Sequence, residues 1–132
     1  MFFECKVLSS LEKVFCRPEW KTYGSGLPAE RKCFAGAGGE VVSFQLALRA
    51  EENFHLTFHA EGALAEFLEF REVGLVPCEN PADPADPFII TSEPGIFPDP
   101  LLPIRKTMRI TAGNWHSVWV TVRHPDGFTP GV

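Results

Sequence analysis

Gly39-Glu40-Val41-Val42-Ser43-Phe44-Gln45-Leu46-Ala47-Leu48-Arg49-Ala50 repeats its apolar residues with a period of two. Successive side chains of a strand point to opposite faces. Val42, Phe44, Leu46 and Leu48 therefore share one face, and Val41, Ser43, Gln45, Ala47 and Arg49 the other. The stretch reads as a strand with one buried side. After the polar turn Glu51-Glu52-Asn53, Phe54, Leu56 and Phe58 alternate with His55, Thr57 and His59. The short connection predicts a hairpin or neighbouring strands, with Phe44, Leu46 and Phe58 in the core.

Toward the N-terminus, Phe3, Cys5 and Val7 form one short strand candidate, Val14-Phe15-Cys16 a second, and Arg31 to Ala35 a third. Downstream, Glu61 to Glu66 has enough helix formers for a single turn, which Gly62 keeps marginal. Phe67 to Pro77 returns to strand, and a phase change near Gly74 predicts a bulge. From Pro77 to Pro103 the chain also carries Pro81, Pro84, Pro87, Pro94, Pro98 and Pro100. Proline lacks the N–H that a ladder needs, so this span reads as a long loop with Phe88-Ile89-Ile90 as a short edge contact. Arg105 to Thr111 is a further strand, with Met108 and Ile110 inward. Asn114 to His124 is the last full one, placing Val118, Val120 and Val122 on one face and Trp115, Trp119 and Thr121 on the other. Aromatics on the second face predict that it too is covered. About seven short strands with turn signals between them indicate an all-β protein, an antiparallel β-sandwich of immunoglobulin-like topology with a long proline-rich loop. The Cys-Trp-Cys spacing of antibody domains is missing.

Residues 1–132 suit a single domain, large enough to hold one core without staples. The chain ends Asp126-Gly127-Phe128-Thr129-Pro130-Gly131-Val132, a turn opening onto one residue of another strand. The expectation is an N-terminal fragment of a larger multidomain protein. A net charge of −5 and a pI near 5.3 disfavour phosphate backbones and anionic lipid as partners, since both select basic faces. Phe2-Phe3 is followed by Glu4 and Lys6, so neither a signal h-region nor a spanning segment is legible. Cys5, Cys16, Cys33 and Cys78 lie far apart without a C-x-x-C pair, which reads as free thiols. Together these features favour the cytoplasm.

Chemistry-bearing clusters are sparse. His55 and His59 would stand about 13 Å apart along a strand, too far to share one metal ion unaided, and His116 and His124 are farther still. Glu61, Glu66, Glu69, Glu72 and the loop acids Asp83, Asp86 and Asp99 lack the rigid frame that paired acid–base catalysis requires. No G-x-S-x-G turn is present. Gly36-Ala37-Gly38-Gly39 precedes a strand, whereas phosphate cradles precede a helix. No metal, cofactor or catalytic residue is assigned. Trp20, Tyr23, Trp115 and Trp119 fit packing better than a sugar-stacking platform.

Three motifs carry a family resemblance: Gly39-Glu40-Val41-Val42-Ser43-Phe44-Gln45, then Ile96-Phe97-Pro98-Asp99-Pro100-Leu101-Leu102-Pro103, then Val118-Trp119-Val120-Thr121-Val122. In order and spacing, from about Cys33 onward, the chain resembles the N-terminal β-sandwich domain of glycoside hydrolase family 123 and its uncharacterised relatives. The resemblance implies a sandwich paired with a C-terminal (β/α)-barrel that hydrolyses β-linked N-acetylgalactosamine with help from the substrate's own acetamido group. The acidic pair of that family lies in the barrel, so no catalytic position carries over to this chain.

The expected function is a non-catalytic accessory sandwich whose partner is that barrel. The candidate interdomain or structural residues are Glu40, Gln45, Asp99, Leu101, Leu102 and Trp119. Glu40 would hold the strand entrance through a backbone or Arg contact. Gln45 would satisfy backbone groups of the proline loop, since an amide both donates and accepts. Asp99 would cap a turn between Pro98 and Pro100, Leu101 and Leu102 would plug an interface, and Trp119 would lie on the docking face. The runner-up is an independent carbohydrate-binding module, and the third reading an adhesion or assembly domain. The edge left by a missing strand after Val132, and the bare docking patch, would also lead the fragment to self-associate, by edge pairing or as a symmetric dimer through that patch.

Overall fold

The computed structural model describes residues 2–17, 30, 33–80, 83, 85–87 and 91–125. The strands among them are β1 (Phe3–Ser9), β2 (Val41–Ala50), β3 (Phe54–Leu56), β4 (Leu68–Cys78), β5 (Gly95–Pro103), β6 (Met108–Ile110) and β7 (Trp115–Arg123). One antiparallel sheet has the order β1-β2-β7-β4-β5, and β3 pairs with β6 in a second. The fold is an all-β sandwich. Its one 3-10 turn among the described residues, Ala65–Phe67, overlaps only the end of the marginal helical turn expected at Glu61 to Glu66.

β2 and β3 are not a hairpin. β2 already has β1 on one side and β7 on the other, so its ladder has no place for the next run. The chain instead crosses to the second sheet at Glu51-Glu52-Asn53. Asn53 secures the crossing by accepting the Ala112 amide N–H on its Oδ1 at 2.8 Å.

The inner face of the large sheet holds the main core. Leu48 and Ala50 of β2 and Val118 and Val120 of β7 meet Met108 and Ile110 of β6, all buried. Phe44, Leu46 and Phe58 pack against this cluster, but they are half-buried rather than enclosed. The cover is short: β3 and β6 have three residues each, so the far end of β2 relies on single rings. Phe34 stacks on Phe44 with centroids 4.8 Å apart, and Phe58 on Phe70 at 5.4 Å.

β4 shows the predicted bulge, a register shift between Val73 and Leu75. Its first half pairs with β7 as far as Glu72 opposite Val118; beyond that point it pairs only with β5. Gly74 permits the break, because a Cβ there would sit 2.9 Å from both Leu102 Cδ1 and Pro100 Cγ.

Three strand expectations need correction. Gly95–Pro103, read as part of the proline loop, is the edge strand β5. An edge strand donates to one side only, which is how it accommodates Pro98, Pro100 and Pro103. Val14-Phe15-Cys16 has no ladder and belongs to a crossing segment, and Cys33–Ala35 is irregular as well. Phe88-Ile89-Ile90, Arg31, Trp20, Tyr23 and the Pro130-Gly131-Val132 turn lie outside the described residues. No disulfide joins the four cysteines. Among the described residues no helix is long and apolar enough to cross a membrane.

Candidate functional site

The outer face of the large sheet presents Gln45 and Ala47 of β2 opposite Trp119 and Ser117 of β7. As the aromatics of β7 predict, this face is covered: the segment that leaves β1 runs across the sheet as a strap. A turn starts it: Glu12 N–H donates to Ser9 O at 3.2 Å and Leu11 N–H to Ser9 Oγ at 3.3 Å. Val14 then enters a buried cluster with Leu8, Ala47 and Trp115. Phe15 meets Phe97 of β5 edge to face at 5.9 Å, Lys13 Nζ donates to Pro98 O at 3.4 Å, and Cys16 O accepts the Trp115 amide N–H at 2.8 Å. The last bond lies where β4 has turned away from β7, so the strap supplies an acceptor that the ladder no longer provides.

Gln45 anchors the strap from below. Its Nε2 donates to the carbonyl oxygens of Ser9 (3.1 Å), Ser10 (3.3 Å) and Glu12 (2.8 Å), while Oε1 accepts from Ser117 Oγ at 2.8 Å. Only 3% of the residue is exposed. The amide therefore uses both its donor and its acceptor, the donor on the turn after β1 and the acceptor on Ser117, and neither on the proline segment. β1 is the immediate neighbour of β2, whereas β5 is three strands away, and this order decides which backbone Gln45 can reach.

Beside Gln45 a cavity of about 180 Å³ opens between the strap and β5. Gln45, Asp99, Leu101 and Trp119 all line it, with Lys13 and Val73. Four residues singled out from separate parts of the sequence thus converge on one place. Asp99 is exposed within β5, so it caps no turn. Leu102 lines a neighbouring cavity of about 210 Å³ with Glu72, Gly74, Leu75, His116 and Ser117, and Val73 borders both. Leu75, Leu101 and Leu102 expose 42, 37 and 45% of their surface around these mouths.

Glu40 stands apart, at the start of β2. Its Oε2 accepts the Ala37 N–H at 2.7 Å, its own N–H donates to Ala37 O at 3.1 Å, and its carbonyl accepts the His124 N–H at 3.0 Å. It closes the turn that Gly39, at φ 75°, makes possible. This is the backbone contact expected at the strand entrance.

The second cavity brings a carboxyl, an imidazole and a hydroxyl together without making a catalytic relay. Ser117 and His116 are consecutive on β7 and so face opposite sides of the sheet. The Ser117 hydroxyl is committed to Gln45. His116 Nε2 receives the Thr111 amide N–H at 3.0 Å and lies 2.9 Å from Thr111 Oγ1, so in the neutral ring the proton sits on Nδ1. Burial lowers the pKa of His116 and raises that of Glu72. Burial thus shifts each group toward its neutral form. His55 and His59 are exposed, and His59 approaches Glu61 at 3.6 Å.

Sequence reading missed the strap and the partnership of Gln45 with Ser117. A polar residue in phase with Gln45 on a neighbouring strand was the available signal, but pairing two such residues requires the register. Compared with known proteins, the chain matches no family model and no curated sequence.

Proposed function

We propose that this chain is a non-catalytic accessory domain that docks a neighbouring domain on the strap-side face around Leu101 and Trp119, with Leu102, paired with Glu72 opposite Val118, on the other side of β5. The partner, by the resemblance to glycoside hydrolase family 123, is a C-terminal (β/α)-barrel of the same polypeptide. The observation that carries the reading is the convergence of Gln45, Asp99, Leu101 and Trp119 on one depression beside the strap. Small-ligand pockets typically enclose about 300–1,000 Å³, and both depressions here are smaller. Such dimensions suit a protruding side chain of a packed domain.

The second reading is an independent glycan-binding module. It is favoured by half-buried Trp119 beside the polar groups of Asp99 and Lys13 in the same depression. Titration with β-linked N-acetylgalactosamine oligosaccharides separates the two. The accessory reading expects no saturable binding and no turnover of chromogenic N-acetylhexosaminides by residues 1–132. Sequencing the coding region past Val132 supplies the direct test. An in-frame barrel is expected there, with Leu101→Asp loosening its attachment in limited proteolysis. A stop codon directly after Val132, or saccharide binding abolished by Trp119→Ala, overturns the proposal.

A further inference from the structure

The two edges of the large sheet differ in what they can pair with. β5 carries Pro98, Pro100 and Pro103, each lacking the N–H of a ladder bond. β1 has no proline, and among the described residues no strand lies on its outer side. The direction of its main chain can be read from two contacts. The Phe2 carbonyl turns inward and accepts the Glu51 N–H at 3.3 Å, whereas the Val7 N–H turns outward, toward Glu30 Oε1 at 3.5 Å. Main-chain direction alternates along a strand, so Phe3, Cys5 and Val7 present their N–H and C=O groups away from β2.

We propose that β1 pairs antiparallel with β1 of a second copy of this chain, about a two-fold axis at Cys5, joining two five-stranded sheets into one. The sequence Phe3-Glu4-Cys5-Lys6-Val7 is self-complementary in that register. Phe3 faces Val7 of the second copy, Cys5 faces Cys5, and Glu4 faces Lys6. Apolar residues then meet on the inner side and opposite charges on the outer side, at both ends of the axis. Moving the axis to Glu4 or Lys6 sets like charges against each other, and placing it between residues sets Cys5 against a charge. Phe3 and Cys5 are exposed, and the contact from Val7 to Glu30 is longer than an ordinary hydrogen bond, so a ladder bond readily replaces it. The resulting interface is isologous and closes as a dimer. This inference is independent of the accessory reading, which concerns the strap-side face near β5.

Analytical ultracentrifugation at tens of micromolar tests it, with far-UV circular dichroism as the check on folding. A dimer is expected. Glu4→Lys should weaken it about tenfold by creating two like-charge pairs, and the double variant Glu4→Lys/Lys6→Glu should recover most of the loss. Cys5→Pro should abolish it while sparing the β1–β2 ladder, because that N–H points outward. A protein carrying Cys16→Ser, Cys33→Ser and Cys78→Ser should be cross-linked through Cys5 by a short bismaleimide. A strict monomer overturns the proposal, and so does a dimer indifferent to Glu4→Lys. Absence of the Cys5 cross-link in a dimeric sample also overturns it.

Discussion

The central parts of the inner and outer faces of β2 are both closed to water, but by different chemistry. On the inner face Leu48 and Ala50 pack against Met108 and Ile110, apolar against apolar, under the small second sheet. On the outer face Gln45, Ser117 and Thr121 are as deeply buried, and cover comes from an irregular strap held by three bonds to one amide. Hydrophobic contact is tolerant of direction. A buried amide is not, since each group it leaves unpaired costs free energy. The inner face should therefore respond to lost volume and the outer face to lost hydrogen-bonding capacity.

The largest effect is expected at Ile110, which has no exposed surface. Ile110→Ala should cost about 4 kcal/mol in denaturant titration, from the lost transfer energy and the cavity left behind. On the outer face, Gln45→Ala should cost about 3 kcal/mol, since it removes the partners of Ser9, Ser10 and Glu12 carbonyls and of the Ser117 hydroxyl. Gln45→Glu discriminates further. It keeps the shape but offers no donor at neutral pH, so it should be as damaging there as alanine. A Gln45→Glu protein as stable as the parent at neutral pH would reduce the contrast between the faces to volume alone.

Phe44→Ala sharpens the comparison within the inner face. The ring is half-buried and supported by Phe34, so its loss should fall below that of an enclosed phenylalanine, at about 2 kcal/mol. A cost equal to that of Ile110→Ala would mean that cover extends further along β2 than the second sheet does.

The smallest effects concern pH and come from the splay between β4 and β7. His116, its pKa lowered by burial, stays neutral in the fold while the unfolded chain takes up a proton. Stability should thus be full above the ordinary histidine value of about 6.5 and fall as pH drops from there toward the lowered value. Glu72 has the opposite sign. Its raised pKa makes the fold bind a proton more tightly, and this contribution is lost as pH rises from the ordinary glutamate range through the raised value. His116→Asn should flatten the first slope and Glu72→Gln the second, read from denaturation midpoints between about pH 4 and 8. Both groups are partly solvated, so the slopes should be shallow.

Much of this architecture is legible in the sequence. The period of two in Val41–Ala50 and Trp115–Arg123, the break at Gly74 and the inward Met108 and Ile110 depend only on local geometry and on which side chains avoid water. Alternation states that a strand has two faces; it does not state which strand lies beside it. The mistaken hairpin of β2 and β3 comes from that gap, because closeness in sequence was the only available guide to pairing. Proline density misled in a related way. It excludes central strands but permits an edge, and whether β5 is an edge depends on the order of the whole sheet.

The Glu40 side chain acts on Ala37, three positions away, and a backbone contact of that kind at the strand entrance is readable from the chain. Gln45 acts through Ser117, 72 residues away, and through a turn that reaches it only because β1 pairs with β2. The sequence by itself determined the strands, their buried sides and the polar residues that needed partners. The tertiary structure decided which partners they found, because hydrogen bonds across a sheet depend on strand order and register, set by the collective packing of all seven strands described.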